Sequence, residues 1–226
     1  MDIKNVISVK NLNKIYSKKN NKPIHAINNL NLDVQEGEIF GLLGPNGAGK
    51  TTFINILAGT VIKSSGDINV WGFNIDKNPR QVRASIGIVP QEVNLDPFFT
   101  PKKQLELQAG LYGVKKKDRI TDTILKLVSL ENNANSYARS LSGGMRRRLL
   151  IAKSLVHQPP IVILDEPTAG VDVELRKNLW ENVKLLHKQG VTIILTTHYL
   201  EEAEKMCDRI GILNKGKLVA LDTTKN

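Results

Sequence analysis

A glycine-rich stretch that ends in lysine and threonine is the part of this sequence whose residue types most clearly predict chemistry. It reads Gly44-Pro45-Asn46-Gly47-Ala48-Gly49-Lys50-Thr51-Thr52 and fits G-x-x-x-x-G-K-[ST], the phosphate-binding P-loop pattern. Its glycines let backbone N–H groups close around phosphate oxygens. Lys50 can reach the β- and γ-phosphates, and the Thr51 hydroxyl can take a place on Mg²⁺. The alternative interpretation is an ordinary glycine-rich turn.

The elements around this stretch are those that a P-loop requires. Residues 39–43 form a short apolar run that predicts a buried strand, and residues 52–57 predict a helix that Gly59 ends. The start of the helix adds partial positive charge where the phosphate would lie. This strand–loop–helix context favours phosphate binding over the simple turn.

A second apolar strand, predicted at residues 161–164, ends in two carboxylates, Asp165 and Glu166. In an open α/β sheet, ligands bind at the carboxyl ends of the strands. Asp165 is then positioned to hold Mg²⁺ through its water shell. Glu166 can accept a hydrogen bond from a water molecule behind the γ-phosphate. A helix cap is the alternative role for such a pair, and the upstream P-loop disfavours it.

The remaining pattern predicts a mostly parallel sheet wrapped by helices, because strands and helices alternate after the P-loop. Between residues 98 and 140 the sequence pattern predicts helices, the first of which starts with Thr100 as its cap and Pro101 as its first residue. We therefore predict an inserted helical subdomain at 98–140 within a core formed by 1–97 and 141–226. Further strands are predicted at 6–12, 24–32, 191–197, 210–213 and 218–221, with hairpin or meander strands at 66–72 and 86–89 and a turn at 18–22.

Length, charge and cysteine content narrow the class of protein. The chain has 226 residues, a net charge of +10 and a single cysteine, Cys207, which excludes an internal disulfide and a zinc cluster. No apolar run approaches the ~20 residues of a membrane span, so we expect a soluble, cytoplasmic chain. The positive charge has three interpretations: a nucleic-acid surface, an acidic membrane surface or solvated lysine-rich faces. No aromatic residues interleave with the basic clusters at 115–117 and 146–148, as single-strand binding would favour.

Taken in order, the motifs resemble those of the nucleotide-binding domain of ABC transporters, over essentially the whole chain. The matching positions are Tyr16 for the adenine-stacking aromatic, Gln91 for the Q-loop, Leu141-Ser142-Gly143-Gly144-Met145 for the signature motif, Asp165 for the magnesium-site aspartate, Glu166 for the catalytic glutamate, residues 169–172 for the D-loop and His198 for the switch histidine. The resemblance implies an α/β P-loop NTPase fold. In that fold an antiparallel β subdomain lies at the N-terminal side of a mostly parallel core sheet, and an α-helical subdomain is inserted.

The same resemblance implies ATP hydrolysis, with ATP and Mg²⁺ bound between two chains. Implied catalytic residues are Glu166, His198, Gln91 and Lys50, and implied magnesium-site residues are Thr51, Gln91 and Asp165. The nucleotide would also contact Tyr16, residues 44–52 and Asp172. By the resemblance, Ser142, Gly143 and Gly144 act in trans, on the γ-phosphate bound to the other subunit.

One position departs from the family pattern, since Met145 stands where the signature motif usually ends in glutamine. The sequence from 142 to 149, and that from 196 to 204, resemble the exporter branch with ABC-2-type membrane subunits. This branch implies integral membrane permease partners that dock near residues 98–112, and a peripheral location at the cytoplasmic face of the membrane. Transported substrate and homodimer or heterodimer assembly stay open.

Other classes of protein fit the sequence less well. A non-transport ABC ATPase acting on nucleic acid or ribosomes is compatible with the charge, but such proteins usually carry a coiled-coil insertion, zinc cysteines or a second nucleotide domain. A GTP switch protein needs N-K-x-D, and Asn214-Lys215-Gly216-Lys217 lacks the aspartate. A small-molecule kinase would not explain the signature motif.

Overall fold

A computed structural model describes residues 4–18, 21–169 and 173–224 of the chain. Within these residues the strands are β1 Asn5–Lys18, β2 Asn21–Gln35, β3 Ile39–Leu43, β4 Ser65–Val70, β5 Phe73–Asn74, β6 Ile86–Val89, β7 Ile161–Asp165, β8 Thr192–Thr197, β9 Arg209–Asn214 and β10 Lys217–Thr223. The α-helices are α1 Lys50–Leu57, α2 Pro79–Ala84, α3 Pro101–Leu111, α4 Thr121–Leu127, α5 Gly143–Leu155, α6 Val173–Lys188 and α7 Leu200–Met206.

The core sheet has six strands in the order β10-β9-β3-β8-β7-β6. All neighbouring pairs are parallel except the terminal hairpin of β9 and β10. Every residue of β3, β7 and β8 is buried, as expected for parallel strands covered on both faces. The predicted parallel sheet is confirmed, and it brings the ends of β3, β7 and β8 to one edge.

The interpretation of residues 86–89 as a hairpin or meander strand is wrong. They form β6, the edge strand of the core sheet, in which Ile86 pairs in parallel with Ile161. The partner strand lies far along the chain, beyond the whole helical stretch. A short apolar run has the same local pattern in a hairpin and in a parallel sheet. Only the connection to its partner strand distinguishes the two, because parallel strands need a long crossover.

A second sheet, antiparallel and ordered β2-β1-β4-β5, covers the N-terminal side. Its long hairpin of β1 and β2 continues well beyond the predicted first strand, so that Tyr16 pairs with Ile24. The inward side chains Leu12, Ile27 and Leu30 are fully buried against Phe40 and Phe53 of the core. The antiparallel β subdomain is thus confirmed. The predicted turn at 18–22 includes residues 19 and 20, which lie outside the described residues.

Helices α3, α4 and α5, which come between β6 and β7 in the sequence, pack together and confirm the helical character of this stretch. Thr100 caps α3 as predicted, its side chain accepting a hydrogen bond from the Lys103 N–H at 3.2 Å. Glu106 of α3 binds Arg119 at 2.6 Å and also accepts a hydrogen bond from the Thr121 hydroxyl, which joins α3 to the start of α4. The limits 98–140 for an inserted subdomain stay a prediction.

The imidazole of His157, just after α5, joins this helical layer to the core sheet. Its ring stacks on Tyr112 with centroids 3.7 Å apart, and its Nε2 lies 3.1 Å from the Ile86 carbonyl oxygen. The Nδ1 atom is buried and has no hydrogen-bond partner in the described part of the chain. Burial lowers the pKa of His157, with the Ile86 hydrogen bond opposing the shift. A protonated ring would therefore bury an N–H without an acceptor.

We predict that His157 makes the fold more sensitive to acid. The pKa of His157 is lower in the folded than in the unfolded chain, so the folded state favours the neutral ring. The stability that this gives is fully present at a pH above the unfolded pKa, and it is lost as pH falls. His157→Gln keeps a donor for Ile86 but cannot titrate. Thermal unfolding of both proteins between pH 8 and pH 5 should show the wild-type midpoint falling further, by on the order of 2 °C. Parallel curves would contradict the prediction.

Candidate nucleotide site

The loop between β3 and α1 is tightly packed at two of its glycines. A Cβ on Gly44 would lie 2.3 Å from the Leu213 carbonyl oxygen, and one on Gly49 would lie 2.5 Å from that of Ala26. Gly49 also has a φ of +112°, in the region that favours glycine. These two glycines therefore let the loop pass against β2 and β9, while Gly47 has no such neighbour within 4 Å.

The N-terminus of α1 is suited to an anion. Its N-cap, Gly49, has no side chain, and its first turn contains no acidic residue. The first N–H groups of a helix lack partners within the helix and carry partial positive charge, which favours a phosphate there. Local geometry thus fits the phosphate-binding prediction made from residues 44–52.

The Lys50 ammonium is held inside the loop. Its side chain is only 4% exposed, and Nζ donates to the carbonyl oxygens of Gly44 at 2.6 Å and Pro45 at 3.2 Å. It also lies 3.3 Å from Oε1 of Glu166. A buried cation with one carboxylate neighbour is well placed to receive a phosphate oxygen.

The Glu166 carboxylate is the centre of the site and contacts each of the other three predicted catalytic residues. Oε1 faces Lys50, while Oε2 accepts a hydrogen bond from Gln91 Nε2 at 3.3 Å and lies 3.4 Å from His198 Nδ1. Glu166 has a φ of +43°, unusual for a residue other than glycine. Its N–H donates to Thr196 Oγ1 at 3.0 Å, which holds this backbone in place. Strained backbone of this kind occurs mainly at functional sites.

Asp165 lies one residue earlier and is held by the same threonine. The Thr196 hydroxyl donates to Asp165 Oδ1 at 2.6 Å. Burial raises the pKa of Asp165, although this hydrogen bond opposes the shift. The described residues contain no group of three or more His, Cys, Asp or Glu side chains that could hold a metal. Mg²⁺ at nucleotide sites is usually held by one or two protein groups together with phosphate oxygens. Asp165 and Thr51 are two groups of this kind.

An open cavity of about 450 Å³ lies in front of these groups, a volume within the range of small-molecule sites. The β1–β2 hairpin contributes Tyr16 and His25 to its lining, and Gln91 and Glu166 line it as well. The Tyr16 side chain is exposed, with Lys14 Nζ 4.7 Å from the centroid of its ring. The remaining lining residues are Ile24, Ala26, Pro45, Asn46, Gly47, Ala48, Gly49, Lys50, Thr51 and Thr52.

The signature stretch lies apart from this cavity. Ser142 caps α5, and its Oγ accepts a hydrogen bond from the Met145 N–H at 3.2 Å. Ser142 and Gly143 are exposed and Gly144 is half-buried, and none of the three lines the cavity. Asp172, the predicted D-loop contact, lies outside the described residues.

Several residues that shape the site were not among the predicted site residues. Thr196 bridges Asp165 and the Glu166 backbone, and only the parallel pairing of β7 with β8 brings it there. His25 reaches the cavity through the hairpin register alone. Arg147, noted in the sequence as part of a basic cluster and of the stretch 142–149, is buried and donates to carbonyls beside the site. Local composition could have indicated none of these contacts.

A P-loop whose lysine meets a carboxylate that follows another parallel strand of the same sheet defines a P-loop nucleotide-binding protein. More specifically, the model of the ABC transporter family matches residues 27–169, and the chain belongs to this family. The recognition from the motif order is therefore confirmed. ATP is the nucleotide of this family, with Mg²⁺ as its usual partner.

Curated relatives carry names of ATP-binding proteins. The linearmycin resistance ATP-binding protein LnrL of Bacillus subtilis is 40% identical over 221 residues, which cover 96% of this chain and 69% of that one. The Nod factor export ATP-binding protein I of Cupriavidus pinatubonensis is 42% identical over 197 residues, which cover 86% of this chain and 61% of that one. This chain thus spans about two thirds of the length of these relatives.

Solved structures agree with the fold. The ATP-binding cassette MJ0796, in a dimeric post-hydrolysis state bound to ADP and Pi, superposes with a TM-score of 0.84 at 28% identity, over 97% of this chain and 99% of that one. The cbiO1 subunit from Clostridium perfringens, part of an ABC transporter complex, gives a TM-score of 0.85 at 28% identity, over 98% and 89%. Separately, no helix among the described residues is long and apolar enough to cross a membrane.

Proposed function

We propose that this chain is the ATP-hydrolysing subunit of an ABC exporter. The observation that carries the proposal is the Glu166 carboxylate, which lines the P-loop cavity and contacts Lys50, Gln91 and His198. The names of the relatives support the exporter over an ATPase that acts on nucleic acid or ribosomes.

In this proposal Glu166 accepts the proton of the attacking water. Gln91 and His198 hold the carboxylate from one side and orient it through contacts at 3.3 and 3.4 Å. Lys50 turns from the carbonyls of its own loop to the β- and γ-phosphates. Thr51, Asp165 and Gln91 would hold Mg²⁺, which would supply positive charge to the phosphate oxygens. Tyr16 supplies a flat face for adenine.

We further propose that two chains form the complete site. Ser142, Gly143 and Gly144 start α5 on the surface, away from the chain's own cavity, so their N–H groups are available to the γ-phosphate of a second chain. Asp172 would contact the nucleotide near the same interface. The dimeric cassette with ADP and Pi supports this arrangement.

The membrane partner would dock on the helical region that we place at residues 98–140, inserted between core segments 1–97 and 141–226. Large apolar side chains are exposed there: Phe98 is 67% exposed and Leu111 is 83% exposed, with Tyr112 beside it. An exposed apolar group of this kind fits a protein contact. With integral permease subunits bound, the chain would lie peripherally at the cytoplasmic face of the membrane.

The composite site is tested with Ser142→Arg, assayed for phosphate release and for binding of MgATP to the monomer. We expect hydrolysis to fall to background, because the arginine blocks the second chain's phosphate, while ATP binding to the monomer stays within about twofold. Ser140→Arg places the same side chain two residues away and should keep activity. Loss of both binding and hydrolysis in Ser142→Arg would argue against a role in trans, and a wild-type chain that releases no phosphate from MgATP would count against the ATPase itself.

A further inference from the structure

Three adjacent arginines on α5 have three different environments. Arg146 is exposed, Arg148 donates to the carbonyl oxygens of Val128 and Ser129 at 3.0 and 2.9 Å, and Arg147 is 5% exposed and turns toward the nucleotide site. We propose that Arg147 is a positioning residue for hydrolysis, which fixes Gln91 and Glu166 relative to each other and links both to α5. The proposal rests on the ATP hydrolysis proposed above.

The contacts of Arg147 join two segments that are remote in sequence. Nη1 donates to the carbonyl oxygens of Pro90 at 3.1 Å and Gln91 at 2.6 Å, and Nη2 donates to that of Glu166 at 3.2 Å. A planar guanidinium holds its donors in fixed directions, so it sets the spacing of the acceptors that it binds. The spacing matters because the side chains of Gln91 and Glu166 meet each other at 3.3 Å.

The backbone of Glu166 is held on both sides by these contacts. Its N–H donates to Thr196, and its carbonyl oxygen accepts from Arg147. Such support is needed because the φ of +43° is unfavourable for glutamate and persists only where its surroundings impose it. Without the guanidinium, the carbonyl would be free to rotate, and the carboxylate would move with it.

Burying an arginine such as Arg147 is energetically costly at a position whose role is only structural. All three of its acceptors are neutral carbonyls, and its Nε is buried with no hydrogen-bond partner among the described residues. Burial lowers the pKa of Arg147, and attraction to the nearby Asp165 carboxylate offsets only part of this shift. An apolar side chain of similar volume often packs in such a place at equal or lower cost. The guanidinium is therefore better explained by the geometry that it imposes on the carbonyls.

Because Arg147 lies on α5, a movement of this helix would be passed on to Gln91 and Glu166. Ser142 caps the first turn, and Arg147 lies less than two turns further along the same helix. Any shift of the first turn on binding a phosphate at its N-terminus would move the guanidinium, and with it Gln91 and Glu166. Arg147 would in this way make hydrolysis at one site depend on engagement of α5 at the other.

The experiment compares Arg147→Lys with Arg148→Lys in the full chain. Each change removes a guanidinium that is carried by α5 and binds backbone carbonyls outside this helix. Only Arg147 binds the carbonyls of Gln91 and Glu166. Turnover, KM and the Kd for MgATP are measured, together with thermal midpoints, and assays run well below the lower midpoint so that both variants are folded. Arg147→Gln, which keeps an uncharged donor, is made as a second variant.

We expect Arg147→Lys to lower kcat on the order of 10- to 100-fold, as small displacements of a catalytic group do. Its Kd for MgATP should stay within about threefold, since Arg147 does not line the cavity. Arg148→Lys should lose comparable thermal stability but keep kcat within about twofold. Equal kcat for the two lysine variants, or an Arg147 effect confined to Kd, would overturn the proposal. A wild-type chain without ATPase activity would instead refute the proposed function.

Discussion

Glu166→Gln is expected to bind MgATP more tightly than the wild type and to hydrolyse it about 10²- to 10⁴-fold more slowly, the usual contribution of a general base. Glutamine has nearly the shape of glutamate and can keep the contacts with Gln91 and His198, which lie 3.3 and 3.4 Å from Oε2. It cannot accept the proton of the attacking water, so the chemical step is lost while the site stays assembled.

Tighter binding follows from the charges in the nucleotide-free site. The Glu166 carboxylate lies 3.3 Å from the Lys50 ammonium, so it pairs with the cation that a phosphate would have to bind. A carboxylate at this place also repels the phosphate once it binds. Neutral glutamine removes both effects. Because slow hydrolysis preserves the bound ATP, the variant should also accumulate as an ATP-dependent dimer.

Sedimentation of Glu166→Gln with and without MgATP, together with single-turnover phosphate release, checks both parts of this prediction. Glu201→Gln, a change of the same kind at an exposed residue of α7, is the matched control and should behave as the wild type. Normal turnover in Glu166→Gln would remove this residue as the base. A variant that stays monomeric with ATP demonstrably bound would mean that the composite site needs another subunit, or that Ser142 does not act in trans.

The sequence was sufficient for those parts of the fold and site that depend on local chemistry. Residues 44–52 predicted the loop because glycine, lysine and threonine have to stand in that order around a phosphate. The predicted strands at 39–43 and 161–164 were confirmed because parallel strands buried on both faces are continuously apolar. Thr100 and Pro101 gave the start of α3 for an equally local reason, a capped first turn.

The parts that could not be predicted depend on contacts between remote segments. Residues 86–89 have an ordinary strand pattern, and their parallel partner follows only after the intervening helices. Arg147 stands among exposed and half-buried arginines, and nothing in its neighbours distinguishes the side chain that turns inward. Thr196 reaches Asp165 and Glu166 only through strand pairing. Periodicity along one segment contains no information on which other segment lies opposite.

Lys50→Met is the second change with a large expected effect, a loss of MgATP affinity of about 10- to 100-fold. A hydrogen bond to a charged group contributes about 1.5–3 kcal/mol, and the ammonium is the only group of the lysine side chain that can donate to phosphate. At 100 times its Kd, MgATP should stabilise the wild type by about 2.7 kcal/mol, a rise of roughly 5–10 °C in the thermal midpoint. The variant should show about half of this rise or less at the same concentration.

Thermal shift with and without MgATP measures this loss, and Lys63→Met is the control. Lys63 also forms an ion pair, with Asp76 at 2.9 Å, but lies away from the cavity. Its replacement should leave the shift caused by MgATP unchanged. A full shift in Lys50→Met would show that the backbone N–H groups of the loop and α1 hold the phosphates without this side chain.

The double variant Lys50→Met/Glu166→Gln separates the two roles of this ion pair. Without nucleotide, Lys50→Met alone leaves the Glu166 carboxylate, 10% exposed, without its ammonium, so it should destabilise the fold more than the double variant does. With MgATP, the carboxylate opposes the phosphate, so Glu166→Gln should restore part of the affinity that Lys50→Met loses. Strictly additive midpoint and Kd changes would contradict this coupling. A coupling in both states would mean that Lys50 exchanges Glu166 for the phosphate when ATP binds.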